Sequence, residues 1–277
     1  MTTPADIAAH VLAKLKSTRP LVLCLTNSVV QNFTANLLLA VGGVPVMLNH
    51  AEEVRDILRS CANALLINVG TLSTAQAEIM QSAVKCATDA GIPWVLDPVA
   101  VGLLTYRTQF CTELLKTPPA MIRGNASEIM ALAGVNAATC RGPESGAASS
   151  DALEAAQLLS AHTASAVLVT GETDYMTQGG STCICTNGHE LMTRVTGMGC
   201  AMGALAAACT AVADTPLHAA ISTAAIMGVC GDRAVVRAQH PGSFAAAMLD
   251  ELDSLSPESL RQHAKLTMHE HGGTAIQ

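Results

Sequence analysis

The chain has 277 residues, of which 50% are hydrophobic, 13% charged and 2% aromatic, and its net charge is −7. This composition excludes a disordered or collagen-like chain. Because basic and aromatic side chains are scarce, nucleic acid is not expected as a partner. Ten cysteines are scattered without a CxxC pair, which predicts reduced thiols and a cytoplasmic location. The apolar surplus also favours contacts between subunits.

Short aliphatic and β-branched runs alternate with helical stretches along the chain. This pattern predicts one α/β domain over residues 1–277 with a largely parallel sheet. Ser73 and Gln76 have the spacing of a capping box, which begins a helix. The predicted parallel strands are Leu21–Leu25, Val44–Leu48, Leu65–Val69, Pro93–Leu96, Ala120–Ile122 and Ala166–Val169.

The pattern changes after the sixth strand. Tyr175–Met176 and Ser181–Cys185 predict antiparallel strands around a Gly-Gly turn, and the rest of the chain is expected to be helical. The most apolar region, 199–230, is interrupted by Asp214 and Pro216, so it predicts two buried helices and no membrane span. A Gly/Ser/Ala-rich stretch at 141–149 predicts a loop, and about 256–277 forms a C-terminal extension.

Polar residues follow several of the predicted strands. Ligands of parallel sheets bind at the carboxyl ends of the strands, where loop amides and helix N-termini converge. Turns also favour Asn, Asp and Thr, so each residue taken singly has a purely structural explanation. Walker, G-x-S-x-G, H-E-x-x-H and early G-x-G-x-x-G signatures are missing from the sequence. The residues in question are Thr26, Asn27, Asn49, Asp97, Arg123, Asn125 and Thr170.

Gly197 and Gly199 stand immediately before a long apolar helix, with Cys200 next to them. Glycines allow the first helical N–H groups to converge on one point, which is a geometry that holds an anion. A cysteine in such a first turn is expected to have a lowered pKa and to accept a proton from a substrate hydroxyl. The alternative is a glycine-rich turn with a small buried cysteine.

Seven motifs occur in an order that resembles the hydroxyethylthiazole kinase family, a thiamine-salvage branch of the ribokinase-like superfamily. The resemblance covers roughly residues 5–255. The motifs are Leu25-Thr26-Asn27 with 32–36, Gly43–Met47, Leu96–Gly102, Ile122–Glu128, Val169–Asp174, Gly197–Cys200 and Pro241–Phe244.

The resemblance implies a three-layer α/β/α fold. It also implies ATP- and Mg²⁺-dependent phosphorylation of the hydroxyl of 4-methyl-5-(2-hydroxyethyl)thiazole, by a homotrimer with its sites at subunit interfaces. The amides of Gly197, Gly199 and Cys200 would cradle the transferred phosphoryl group. Cys200 stands where most ribokinase-like enzymes have an Asp base.

Further roles are carried over from the family in the same way. Arg123, Thr170 and Asn125 would bind the nucleotide, and Asp97 and Glu128 would hold Mg²⁺, in part through water. For Asn125 and Glu128 the alternative is a capping box.

The thiazole would contact Asn27, Met47 and Gly197. Met47 stands at the end of a predicted strand, where core packing is the alternative role. Two other interpretations of the whole chain remain open at this point. One is a dehydratase of hydrated nicotinamide cofactors, and the other is a non-catalytic thiazole binder.

Overall fold

The computed structural model of the chain describes residues 2–135 and 152–270. The predicted loop at 141–149 lies outside these residues. The strands in the described part are β1 (Leu21–Leu25), β2 (Val44–Val46), β3 (Ala64–Asn68), β4 (Trp94–Asp97), β5 (Met121–Asn125), β6 (Ala166–Thr170), β7 (Asp174–Gln178), β8 (Ser181–Cys185) and β9 (Leu266–Glu270).

These strands form one sheet in the order β2-β1-β3-β4-β5-β6-β7-β8-β9. Neighbours from β2 to β6 run parallel, and β7, β8 and β9 are antiparallel to their neighbours. The predicted mostly parallel sheet is therefore confirmed. Because parallel strands point the same way, their carboxyl ends meet along one edge.

Helices cover both faces of the sheet, which makes three layers. One layer contains α1 (Pro4–Thr18), α2 (Gln31–Val41), α8 (Met198–Val212), α9 (Pro216–Arg237) and α10 (Pro241–Ser254), with α11 (Pro257–His263) packed beside α1. The other contains α3 (Ala51–Ser60), α4 (Thr74–Asp89), α5 (Thr105–Leu114), α6 (Ala126–Leu132) and α7 (Leu153–Thr163).

The central strands are apolar throughout because both of their faces are buried. In β1, Val22 and Cys24 join the core under α1, α2 and α8, whereas Leu23 and Leu25 join the core under α3 and α4. Successive side chains of a strand point to opposite faces, so a five-residue run supplies both cores.

The eight strands predicted from the sequence are all present, with ends that differ by up to three residues. The largest difference is at β5, which continues through Arg123 to Asn125 because its backbone keeps pairing with β6. The capping box is also confirmed, since the Ser73 hydroxyl accepts from the Gln76 N–H at 3.2 Å and Gln76 Oε1 accepts from the Ser73 N–H at 3.0 Å.

The prediction that the chain beyond β8 is wholly helical is wrong. Residues 266–270 form β9, which pairs with β8. The unpaired backbone groups along a sheet edge favour the addition of a further strand, even one with a mixed polar sequence. The 256–270 part of the extension is thus α11 and an edge strand, and α11 is tied to α1 by Arg261 Nε donating to Asp6 Oδ1 at 2.8 Å.

The two predicted apolar helices of region 199–230 are α8 and α9. By length and hydropathy α9 is the one helix in the described residues that is apolar enough to cross a membrane, but 78% of its most apolar window is buried inside the protein. Such burial is typical of the core helix of a globular protein, because helices that pack on all sides are apolar all round.

Candidate active site

Five strands carry polar side chains to one edge of the sheet, beside the first turn of α8. Asn27 follows β1, Asn68 ends β3, Asp97 ends β4, Arg123 lies in β5 and Thr170 ends β6. The structure therefore brings together most of the residues that the sequence places at strand ends. Their contacts form one hydrogen-bonded network.

The first turn of α8 depends on two glycines. Gly197 is the N-cap with φ of +89°, and a Cβ there would lie 2.9 Å from Val30 Cγ1 at the start of α2. A Cβ on Gly199 would lie 3.1 Å from Arg123 Nη2. Gly197 therefore needs glycine for its left-handed backbone, whereas at Gly199 the missing side chain lets the guanidinium approach the helix closely.

Arg123 lies between this turn and β6. Its Nη2 donates to Thr170 Oγ1 at 2.9 Å, and its Nη1 lies 3.5 Å from Asp97 Oδ1. The Nε atom is buried and has no hydrogen-bond partner among the residues that the structure describes. A buried N–H without an acceptor costs about 1–3 kcal/mol. An anion held at this place would supply that acceptor.

Asp97 is fully buried, and each of its oxygens has a different donor. Oδ2 accepts from Asn68 Nδ2 at 2.6 Å, and Oδ1 faces Arg123. A Cβ on Gly203, one turn along α8 from Gly199, would lie 2.9 Å from Oδ2. Burial raises the pKa of Asp97 to about 6, with the Arg123 charge opposing this and the Glu128 charge adding to it. The loss of hydration on burial therefore outweighs the one positive charge beside this carboxyl.

Glu128 joins two loops at the same edge. Its Oε1 accepts from the Ala100 N–H at 2.9 Å, and its Oε2 accepts from the Asn125 N–H at 2.9 Å. Asn125 Oδ1 in turn accepts from the Glu128 N–H at 2.9 Å, so the capping box that the sequence offered as an alternative is present. The two residues begin α6 and at the same time fix the loop that follows Asp97.

Cys200 lies in the first turn of α8, and its sulfur accepts from Asn27 Nδ2 at 3.4 Å. The expectation of a lowered pKa is wrong, because burial and the nearby Asp97 charge raise the pKa of this thiol to about 11. Hydrogen bonds from Asn68 and Asn27 and the Arg123 charge oppose the shift. Desolvation of a buried thiolate outweighs the modest field of a helix N-terminus.

Asn125 and Glu128 lie beside this network and bond to each other, and three further residues named from the sequence lie farther from it. Met47 is half-buried at the end of the edge strand β2, where it packs against the core beside α2 and α8. Thr26 and Asn49 line a small pocket at the opposite face, toward α4. Thr26 and Asn27 are consecutive residues after β1, so their side chains lie on opposite faces of the sheet.

Three residues in or beside the network were given no role from the sequence. Asn68 links Asn27 to Asp97, and Gly203 leaves room for the Asp97 carboxyl. Asp174 is buried at the start of β7, where its Oδ1 accepts from the Gly171 N–H at 3.0 Å and holds the turn after Thr170. The available signal for Asn68 was an Asn at the end of a wholly apolar strand, in line with Asp97 on the next strand.

Comparison with known proteins gives one consistent result. The model of the hydroxyethylthiazole kinase family matches residues 12–258. The chain is 57% identical to the hydroxyethylthiazole kinase of Akkermansia muciniphila over 254 residues, which are 92% of this chain and 93% of that protein. It is 50% identical to the one of Citrobacter koseri over 252 residues, which are 91% of this chain and 95% of that protein.

Solved structures extend the comparison. The hydroxyethylthiazole kinase of Pyrococcus horikoshii OT3 superposes with a TM-score of 0.87 at 36% identity, over 95% of this chain and 99% of that one. The pyridoxal kinase of Staphylococcus aureus superposes with a TM-score of 0.64 at 15% identity, over 91% of this chain and 98% of that one. The second likeness shows that the fold is ribokinase-like.

The contact between Asp97 and Gly203 leads to a stability prediction. A methyl group at Gly203 clashes with Asp97 Oδ2, so we expect Gly203→Ala to lower the free energy of unfolding by about 1–3 kcal/mol, as overpacking does. Gly242 in α10 has open space at its Cβ position, and Gly242→Ala should raise stability by about 0.4–1 kcal/mol. Urea denaturation of both variants provides the measurement. Equal stabilisation by the two substitutions would contradict the close contact at Gly203.

Proposed function

The chain belongs to the hydroxyethylthiazole kinase family, and on this basis we propose that the edge between the strand ends and the first turn of α8 is its active site. The reaction is ATP-dependent phosphorylation of hydroxyethylthiazole in thiamine salvage. A dehydratase and a non-catalytic binder no longer compete, because the curated relatives are named as kinases. The phosphates, the metal and the alcohol are assigned to different residues of this edge.

The placement of the Arg123 guanidinium against the first turn of α8 carries the proposal. Its buried Nε lacks an acceptor in the described residues, and its Nη atoms lie against the α8 turn at Gly199. Helix N–H groups and a guanidinium fork together bind phosphate oxygens. In this site they hold the phosphoryl group in transfer, where fixed donors of this kind contribute about 10²- to 10³-fold in rate.

The remaining nucleotide contacts come from Thr170 and Asn125. The Thr170 hydroxyl accepts from Arg123 Nη2 and donates to the Gly124 carbonyl at 3.3 Å, so it orients the guanidinium as well as bordering the phosphates. Asn125 caps α6, whose first turn faces the same edge. Capping and phosphate binding are compatible because only part of the helix terminus is used by the cap.

Asp97 and Glu128 are the proposed Mg²⁺ ligands. Both are buried carboxyls, and the Glu128 charge adds to the rise in the pKa of Asp97 that burial causes, which is an environment that a divalent cation relieves. The described residues contain no group of three or more His, Cys, Asp or Glu that could hold a metal. Mg²⁺ takes one or two carboxylates and completes its shell with water and phosphate oxygens. When bound, Mg²⁺ neutralises charge on the phosphates.

The thiazole alcohol occupies the side of the α8 turn that faces β1 and β2. Asn27, Met47 and Gly197 border it, with Met47 supplying a polarisable surface for the sulfur-containing ring. The hydroxyl of the thiazole alcohol contacts the Cys200 sulfur. With its pKa raised to about 11 the thiol is protonated at neutral pH, so its role in the ground state is to orient the hydroxyl. A loose phosphoryl-transfer transition state needs only modest help from a base.

The active form is a homotrimer whose subunit interfaces border these sites. Val29, two residues after Asn27, is 66% exposed, and Leu39 on α2 is 55% exposed. Exposed apolar side chains beside a site are typical of a surface that a partner covers.

The protein works as one domain in the cytoplasm, which agrees with the free thiols found at all nine described cysteines.

An ADP-release assay tests the reaction. We expect turnover with 4-methyl-5-(2-hydroxyethyl)thiazole and none with hydroxymethylpyrimidine, pyridoxal or hydrated NADH. The matched control is 4-methyl-5-ethylthiazole, which fills the same site but lacks the acceptor hydroxyl and should inhibit without releasing ADP. ATP binding without turnover of the thiazole alcohol would refute the proposal.

Substitutions of Cys200 separate its two possible roles. Cys200→Asp supplies a carboxylate that accepts from the substrate hydroxyl, so kcat should stay within about 10-fold of the native value. Cys200→Ala supplies no acceptor, and its kcat should fall by about 100-fold. Cys200→Ser keeps the size and the bond from Asn27 and is expected to lie between them. The measurement is kcat and KM with thermal denaturation as the folding control. If the alanine variant matches the native chain in kinetics, Cys200 has no part in the reaction.

Charge at Val29 tests the trimer. Val29→Asp places a carboxylate on the proposed interface and should dissociate the trimer in analytical ultracentrifugation and lower activity. Leu158→Asp is the control, since Leu158 is 46% exposed on α7 in the other helical layer. A trimer that survives Val29→Asp, or a native chain that sediments as a monomer, would contradict this interface.

A further inference from the structure

Asn68 is buried in the centre of the sheet edge, with 1% of its surface exposed. It ends β3 in register with Asp97 of β4, so the two side chains point to the same face, toward α8. A buried primary amide is unfavourable unless its donors and acceptor are bonded, so an Asn at this place requires specific partners.

The orientation of the Asn68 amide is fixed by its neighbours. Its Nδ2 donates to Asp97 Oδ2 at 2.6 Å, and a carboxylate oxygen accepts only. Its Oδ1 accepts from the Gly70 N–H at 3.0 Å, and a backbone N–H donates only. The amide therefore cannot be reversed without losing both bonds.

The Asn27 amide is oriented by its neighbours in the same way. Its Oδ1 accepts from the Val29 N–H at 3.2 Å, which leaves Nδ2 to donate to Asn68 Oδ1 at 2.9 Å and to Cys200 Sγ at 3.4 Å. A Cβ on Gly70 would lie 2.5 Å from Asn27 Nδ2, so the backbone after β3 also closes on this amide.

From this directed chain we infer that Asn68 is a positioning residue that couples the two halves of the active site. Its N–H group holds the Asp97 carboxyl on the phosphate side, and its carbonyl holds the Asn27 amide on the alcohol side. The inference rests on the proposed function of the site, and it adds that one buried amide aligns the acceptor hydroxyl with the phosphate group.

Two substitutions divide the roles of the amide. Asn68→Asp is isosteric and keeps an acceptor for Asn27 and Gly70, but it replaces the donor to Asp97 by a second carboxylate. We expect kcat to fall by about 10- to 100-fold, the effect of losing a hydrogen bond to a charged group, with KM for the thiazole alcohol within about 3-fold. Asn68→Ala removes the bonds to Asp97, Asn27 and Gly70 and should also raise that KM by about 3- to 10-fold.

A double-mutant cycle tests the coupling to Asn27. Asn27→Ala alone should raise KM for the alcohol, and adding Asn68→Ala should raise it by less than the product of the two single effects, because Asn68 acts on the alcohol through Asn27 as well as through its own bond to Cys200. Thr215→Ala, which removes the N-cap of α9 at the opposite end of α8, is the control and should combine additively with Asn68→Ala. Thermal denaturation accompanies each variant.

The inference is overturned if Asn68→Ala lowers only thermal stability, or if Asn68→Asp and Asn68→Ala change kcat and KM alike. If the alanine variant does not fold, the isosteric Asn68→Asp variant is the test. A fall in kcat with little change in KM for the alcohol supports the inference, and an unchanged kcat overturns it. Each comparison is made with the native chain. A native chain that fails to phosphorylate the thiazole therefore refutes the proposed function, whereas native turnover with silent Asn68 variants refutes only this inference.

Discussion

The burial of the Asp97 carboxyl governs the layout of the site. Removing a carboxylate from water costs several kcal/mol unless charge and hydrogen bonds replace the lost hydration. Here one short bond from Asn68 and a 3.5 Å approach by Arg123 replace part of the lost hydration. Because they do not replace all of it, the pKa of Asp97 is raised to about 6. Because the hydration of the Asp97 carboxyl is incompletely replaced, a cation is favoured beside it, and the buried Arg123 guanidinium nearby favours an anion. A metal–nucleotide complex provides both.

The buried carboxyl also explains why α8 is rich in glycine near its start. The helix must approach β4 and β5 closely enough for Asp97 and Arg123 to lie against its backbone, and a Cβ at Gly203 or Gly199 would fill the contact distance. Glycine in a helix interior costs about 1 kcal/mol relative to alanine. The glycines of α8 lower helix stability by this amount, although the rest of the helix consists largely of alanine and other small apolar residues.

The likeness to pyridoxal kinase at 15% identity shows how little the fold alone decides about the substrate. Proteins named as kinases of different substrates share this fold, so side chains and not the fold must distinguish the substrates. In the proposed site those side chains are Asn27, Met47 and Cys200 on the alcohol side. On the proposed phosphate side the groups are the backbone amides of the α8 turn and Arg123.

Much of the fold was predictable from the sequence because its signals are local. Apolar runs defined the strands from β1 to β8, spacing defined the capping boxes at Ser73 and Asn125, and glycines marked the start of α8. The gathering of Asp97, Arg123 and Thr170 was also predictable, because parallel strands share one carboxyl edge. Edge strand β9 was not, since it forms by pairing with a distant strand and not from its own pattern.

Sequence alone was enough to show which residues stand at the strand ends and which kinase family they resemble. How those residues act on one another became visible only in the folded chain. The raised pKa of the Cys200 thiol and the directed bonds of Asn68 follow from burial and from contacts between β1, β3, β4 and α8. Burial and hydrogen-bond direction are properties of what surrounds a side chain, and residues far apart in the chain supply those surroundings.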